Sequence, residues 1–287
     1  MERQLNYSIS DREFRKFKAF IFDIAGIDLA DSKKTMVSSR LAKRLRHYAL
    51  DSYSEYIELL DSGRYPQESR ILTDILTTNE TYFFRESTHF DFLGGLLKGQ
   101  NIRKQKYRVW SAASSTGQEA YSIAMVLADK LGPSFWEVVA TDLSSKVLET
   151  ARVGHYPMMR TEGIPKEYLR RFCLQGTGEY ENTLLIDKAL RAKVNFTYAN
   201  LNEHIPDLGC FDCIFLRNVM IYFNKETKRQ VVKRILSKLK PGGYIFIGHS
   251  ENMKGITDQL EFIRPAIYQK LPMGTVSAES KCLLRPV

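Results

Sequence analysis

From residue 108 onward the chain alternates short apolar runs with helical runs, and this alternation constrains the fold more than any other feature. Residues 108–112 read as a strand and 117–131 as a helix, then 136–142 as a strand and 144–152 as a helix. Residues 194–198 and 211–216 read as strands. Residues 225–239 read as a helix with Val231, Val232, Ile235, Leu236 and Leu239 along one side. Parallel neighbours need a crossover connection, so this alternation implies a parallel sheet covered by helices on both faces. Residues 243–248 and 262–271 read as two further strands with no helical pattern between them. The sheet is therefore expected to end antiparallel at its edge. Residues 155–193 break the alternation with GIP and CLQGTGEYENTLLI, and read as an inserted antiparallel β-subdomain.

Upstream the pattern is different. Residues 1–76 contain no alternating stretch and read as an all-helical domain. Ser10-Asp11-Arg12-Glu13 has the capping-box spacing, Phe14, Phe17, Phe20, Ile21 and Ile24 follow at helical spacing, and Gly26 is a C-terminal stop. Further helices are expected over 35–49, 53–60 and 68–77. The expected class is α/β: a small helical domain (1–76), a linker with a loop and helix (77–107), and a doubly wound sheet (108–272) carrying the insertion. The polar tail 273–287 reads as flexible.

Composition narrows the setting. Four Cys in 287 residues do not make a disulfide framework. The N-terminus is charged and lacks a signal-peptide core. Apolar runs fall far short of the ~20 residues that span a bilayer. The chain reads as a reduced cytoplasmic protein with no direct membrane insertion. Its formal charge of +9 invites an anionic partner: nucleic acid, a membrane surface or an acidic protein.

Several strand ends carry polar groups. The first strand runs into Ser111-Ala112-Ala113-Ser114-Ser115-Thr116-Gly117 before a helix. Small residues there let a ligand approach the backbone, or simply let helix and strand pack. G-x-G-x-x-G is absent, which disfavours a dinucleotide. Asp142 ends the second strand, where a carboxylate can accept from both ribose hydroxyls or cap the next helix. Asn200, Arg217 and Asn218 follow the third and fourth strands. Ligands in such sheets bind beyond the carboxyl ends of the strands, so these groups are expected to converge. The loop TTNETYFFRE (77–86) is unusual for a connector. Its aromatics could pack a domain seam, with Arg85 paired to Glu86 or a neighbour. Cys210-x-x-Cys213 reads as packing rather than redox or metal chemistry, and the five His show no ligand-spaced cluster, so no metal is expected.

TTNETYFFRE (77–86), VWSAASSTGQEAYSIAM (109–125), VVATDLS (138–144), NFTYANL (195–201), FDCIFLRNVMIYF (211–223) and LKPGGYIFIGHSE (239–251) together resemble the chemotaxis receptor methyltransferases, the CheR family. These are S-adenosylmethionine-dependent protein-glutamate O-methyltransferases. The resemblance implies that S-adenosylmethionine is bound and S-adenosylhomocysteine released. It implies cofactor contacts from Asn79, Thr81 and Arg85, with Glu119 and Asp142 at the methionine end and the ribose. Asn200 and the Leu201 backbone would read adenine, and Arg217 and Asn218 would line the methionyl region. Arg85 and Tyr222 would lie nearest the reacting methyl. The turn departs from the family pattern at Ala113-Ser114 and Gln118-Glu119-Ala120, but keeps Glu119.

The family also supplies a partner, the cytoplasmic signalling domain of chemoreceptors, which would draw the enzyme to membrane receptor arrays. Arg40, Lys43, Arg44 and His47 share a helix face that could steer a Glu-rich receptor, although such faces are usually only solvated. Gly176 and Gly178 in the insertion match part of a motif that, in some members, binds the receptor's C-terminal peptide as an added strand. A third glycine of that motif is replaced by Asn182. Two other readings compete. A nucleic-acid methyltransferase would want an Asn/Asp-Pro-Pro-aromatic tetrapeptide where Arg217-Asn218-Val219-Met220 stands. A non-catalytic signalling scaffold would have no use for Arg85, Asp142 and Tyr222.

Overall fold

The computed structural model describes residues 8–98, 106–133 and 135–272. Residues 99–105 of the linker and the tail 273–287 therefore lie outside the described residues. The chain forms two units. One runs to Asn79 and takes in Tyr222–Thr227; the other comprises Glu80–Ile221 and continues from Lys228.

The first unit is built from α1 (Asp11–Ala25), α2 (Lys34–His47), α3 (Tyr53–Asp61) and α4 (Pro66–Leu76). Ser10 caps α1 in a reciprocal box: its hydroxyl accepts from Glu13 N at 3.2 Å, and its own N–H donates to Glu13 Oε2 at 2.8 Å. Gly26, at φ 70°, ends the helix in the left-handed conformation that glycine adopts without strain. Phe14, Phe17 and Ile21 pack with Leu41, Leu45, Tyr53, Tyr56, Leu72 and Leu76 into the core. Phe223 contributes an antiparallel bridge to Ile27, and Tyr222 O accepts from Asp28 N at 2.8 Å.

A carboxylate sits inside this core. Glu68 is 0% exposed. It accepts from Arg44 Nε (2.7 Å) and Nη2 (2.6 Å), Tyr48 Oη (2.9 Å) and Tyr56 Oη (2.6 Å). Burial pushes its pKa up, but the Arg44 and tyrosine hydrogen bonds outweigh that and hold it below the ordinary carboxylate range. Two arginines of the expected docking face therefore make contacts within the unit. Arg44 is committed to Glu68, and Arg40 donates to the carbonyls of Ile75 (3.0 Å) and Thr77 (2.8 Å). Both tie α2 to α4. Of the four residues named on that face, Lys43 and His47 are exposed.

The second unit opens with α5 (Thr88–Leu97), then β1 (Tyr107–Ser111), α6 (Gln118–Leu131), β2 (Trp136–Asp142) and α7 (Ser145–Val153). The insertion follows: β3 (His155–Pro157), α8 (Lys166–Phe172), β4 (Cys173–Gln175), β5 (Thr183–Ile186) and α9 (Lys188–Arg191). Then come β6 (Val194–Tyr198), β7 (Phe211–Leu216), α10 (Lys225–Ser237, whose first residues belong to the other unit), β8 (Leu239–Ile247), β9 (Leu260–Arg264) and β10 (Ile267–Lys270). Among the described residues the main sheet has seven strands in the order β6-β2-β1-β7-β8-β10-β9. It is parallel from β6 to β8 and antiparallel at β10 and β9. The strand order reverses at β1, which places the switch point beside β1 and β7.

The single strand expected over 262–271 is in fact a hairpin. Pro265 and Ala266 (φ 62°) turn the chain between β9 and β10, because proline fixes φ and removes a ladder donor. The insertion is a three-stranded antiparallel sheet, β3-β5-β4. Asn182, at φ 59°, holds a left-handed turn position, and a side chain at Gly176 would lie 1.9 Å from Tyr180 O. The core is aromatic, with Phe215 stacked on Phe246 at 4.2 Å. Among the described residues no helix is long and apolar enough to cross a membrane.

Candidate active site

The carboxyl ends of β1, β2, β6, β7 and β8 carry the polar residues of the second unit. β1 leads through Ala112–Gly117 into α6. Ser115 adopts φ 48° and Gly117 φ 95°. A Cβ on Gly117 would lie 2.9 Å from that of Ala151, so this glycine serves close packing against α7. Asp142, 8% exposed, accepts from Ser115 N at 2.8 Å and from Ser144 N at 2.9 Å. Its carboxylate thus joins the β1 and β2 turns. Ser144, not Asp142, caps α7 by accepting from Val147 N at 3.3 Å. The helix-capping alternative for Asp142 is therefore set aside.

A chain of ion pairs crosses the ends of β1 and β7. Ser111 Oγ donates to Glu119 Oε1 at 2.7 Å. Arg217, its side chain 1% exposed, spans Glu119 Oε2 (2.8 Å), Glu86 Oε2 (2.9 Å) and the carbonyl of Arg85. Its Nε is buried without a protein partner, as are Ser114 Oγ and Gln118 Nε2. Burial pushes the Glu86 carboxyl up, but Arg217 outweighs it and holds the pKa below the usual range. Of the partners expected for Arg85, Glu86 or a neighbour, it takes neighbours. Its guanidinium donates to Glu80 O at 3.1 Å and lies over the Tyr82 ring.

Asn218 (φ 56°) donates through Nδ2 to Glu86 Oε1 at 3.4 Å. Its backbone N–H donates to Glu251 Oε2 at 3.0 Å, beside Gly248 N at 2.6 Å, while Ile221 N donates to Oε1 at 3.1 Å. Glu251 thereby clamps the loop after β7 to the loop after β8, and burial raises its pKa despite these donors. Asn200 is buried after β6 and accepts from Asn202 N at 3.0 Å; the Leu201 carbonyl accepts from Arg234. Phe84, Glu86, Ser115 and Asn218 all hold positive φ. Such strain gathers at functional sites.

Glu119, Arg217 and Asn218 are thus bridged within the second unit, Asn218 through Glu86, while Asp142 is tied to the turn after β1. Thr81 is half-buried in the same unit, whereas Asn79 and Tyr222 belong to the first. Sequence reasoning missed Glu86 and Glu251 as site residues. It also missed a convergence of Glu86, His89 and His249, whose ligand atoms lie within 4.8 Å of one another. The expectation that no histidine cluster exists is corrected. Burial and the Arg217 charge push His89 down to about 3, so its ring is neutral.

The doubly wound sheet with antiparallel final strands and an acidic β2 terminus defines an S-adenosylmethionine-dependent methyltransferase. Residues 79–268 match the CheR methyltransferase, SAM binding domain, and residues 12–77 match the CheR methyltransferase, all-alpha domain. A chemotaxis protein methyltransferase of Salmonella typhimurium is 41% identical over 266 residues, 91% of each chain. One from Escherichia coli is also 41% identical over 266 residues, 91% of each chain. Chemotaxis protein methyltransferase 2 of Pseudomonas aeruginosa is 40% identical over 270 residues, covering 93% of this chain and 95% of its own. The chain belongs to the CheR family, and as a member it is a protein-glutamate O-methyltransferase of chemotaxis.

Proposed function

We propose that the chain methylates glutamate side chains on the cytoplasmic signalling domain of chemoreceptors, with the strand ends of the second unit holding the cofactor. The carrying observation is Arg217, which bridges Glu119 and Glu86 and keeps a buried Nε without a protein partner. Together with Asp142, fixed by two backbone donors, these residues fit S-adenosylmethionine. Glu119 and Arg217 hold the amino-acid end, Asp142 the ribose diol, Asn200 and the Leu201 backbone the adenine. Thr81 and Asn218 complete the set. When bound, the cofactor supplies an electrophilic sulfonium methyl.

The chain has little proton chemistry to perform. A glutamate of pKa ~4.3 arrives ionised, so no general base is needed. Positioning and exclusion of water remain, because opposite charges cancel as the ester forms. Arg85 orients the substrate carboxylate through one oxygen; gripping both would blunt the nucleophile. Lys43 on α2 steers the acidic receptor, and the β4 edge with Gly176 and Gly178 is the candidate for tethering the receptor's C-terminal peptide. The enzyme works in the cytoplasm, at membrane receptor arrays.

Label transfer from radiolabelled S-adenosylmethionine to receptor-containing membranes tests this reading. The expected product releases methanol in base, as a carboxyl ester does. Label that survives base, or that enters nucleic acid, overturns the proposal.

A further inference from the structure

His89, the second residue of α5, is wholly buried, and neither ring nitrogen has a hydrogen-bond partner. Buried polar groups almost always find one, so two orphaned nitrogens on a single ring require an explanation. Nδ1 lies 3.6 Å from Glu86 Oε2. His249 Nε2, on the loop after β8, lies 3.9 Å from the same oxygen. The two imidazoles meet edge to face with centroids 5.0 Å apart.

We propose that Glu86, His89 and His249 form a binding site for a divalent transition-metal ion of the zinc class. Two imidazoles and a carboxylate suit Zn²⁺, which takes such ligands at about 2.0–2.2 Å in a tetrahedron. Ligand atoms around it then stand on the order of 3.4 Å apart by that geometry. The three ligand atoms lie within 4.8 Å of one another, so the widest pair must close by on the order of 1 Å, a movement that half-exposed His249 can supply. Hard cations such as Mg²⁺ and Ca²⁺ prefer all-oxygen shells and are disfavoured.

Arg217 faces the site and opposes a cation, since its Nη2 is 2.9 Å from Glu86 Oε2. The same guanidinium also faces Glu119, so the local group of two carboxylates and one guanidinium is not net positive. Metal and Arg217 compete for Glu86. On the function proposed above, a bound ion therefore loosens Arg217 and slows methyl transfer.

Titration of Zn²⁺ alone into the metal-stripped full chain, against a chromophoric chelator, tests the site. One equivalent is expected at micromolar Kd or tighter. His249→Asn should weaken it at least thirtyfold, while His204→Asn at an exposed position away from the cluster should not. Wild type binding no tighter than His249→Asn overturns the site, whatever the methylation assay gives. His249 is half exposed, so its variant should fold; an unchanged melting temperature checks this. Binding in wild type without inhibition of methyl transfer upholds the site and overturns the competition with Arg217.

Discussion

Arg217 is a single buried cation with two carboxylates and a carbonyl on its two terminal nitrogens. A lysine carries the charge but cannot span both carboxylates. Arg217→Lys should weaken S-adenosylhomocysteine binding at least tenfold by calorimetry, a loss of about 1.4 kcal/mol or more. Arg85 is different, because its own guanidinium meets only the Glu80 carbonyl and the Tyr82 ring. Arg85→Ala should leave cofactor binding within a few-fold and lower turnover by ~10²-fold, the scale of one preorganised electrostatic contact. Unchanged transfer to receptor would remove its assigned role.

At the scale of elements, one buried and one half-buried carboxylate fasten helices and backbone. Glu251 joins the β7 and β8 loops through backbone donors. Glu251→Gln puts an amide N–H where a backbone N–H points, so kcat should fall more than KM for S-adenosylmethionine rises. Glu68 joins α2, α3 and α4. Its folded pKa is lowered, so its contribution is full above the unfolded value of ~4.3 and is lost as pH falls through the folded value. Glu68→Gln should cost roughly 3 kcal/mol at pH 7. Denaturant titrations at pH 7 and pH 4 should show that difference shrinking in acid.

These two residues also mark where sequence reading ran out. The strands at 136–142, 194–198 and 211–216, the capping box and the polar strand ends were legible because each rests on local periodicity or spacing. Arg40, Lys43 and Arg44 share a face, which looks solvated until Glu68 arrives from another helix to take Arg44. Glu68 itself looks like an ordinary acid in a helix's first turn. Glu86 and His89 have helical spacing, but His249 joins them from 160 residues away, and no local pattern carries that information. The hairpin within 262–271 was signalled by Pro265, which the strand reading passed over.

For the molecule as a whole, the 42 Lys and Arg side chains are not all available to a partner. Arg40, Arg44 and Arg217 are spent internally, whereas Lys43 and Arg46 on α2 remain exposed. Receptor KM should rise with salt, as screened attraction does. Lys43→Glu with Arg46→Glu should raise KM several-fold and leave turnover at saturating receptor unchanged. Arg44→Glu should instead lower the melting temperature, since it sets two carboxylates together in the core. The strand order has a consequence in time. Glu86, Glu119, Asp142, Asn200, Arg217 and Glu251 come from segments spread over most of the chain. A growing polypeptide therefore gains no stabilisation from cofactor until β8 and its following loop have been made. Ligand-dependent protection from protease should accordingly be absent from fragments ending before Gly248, and should appear only in those that include Glu251.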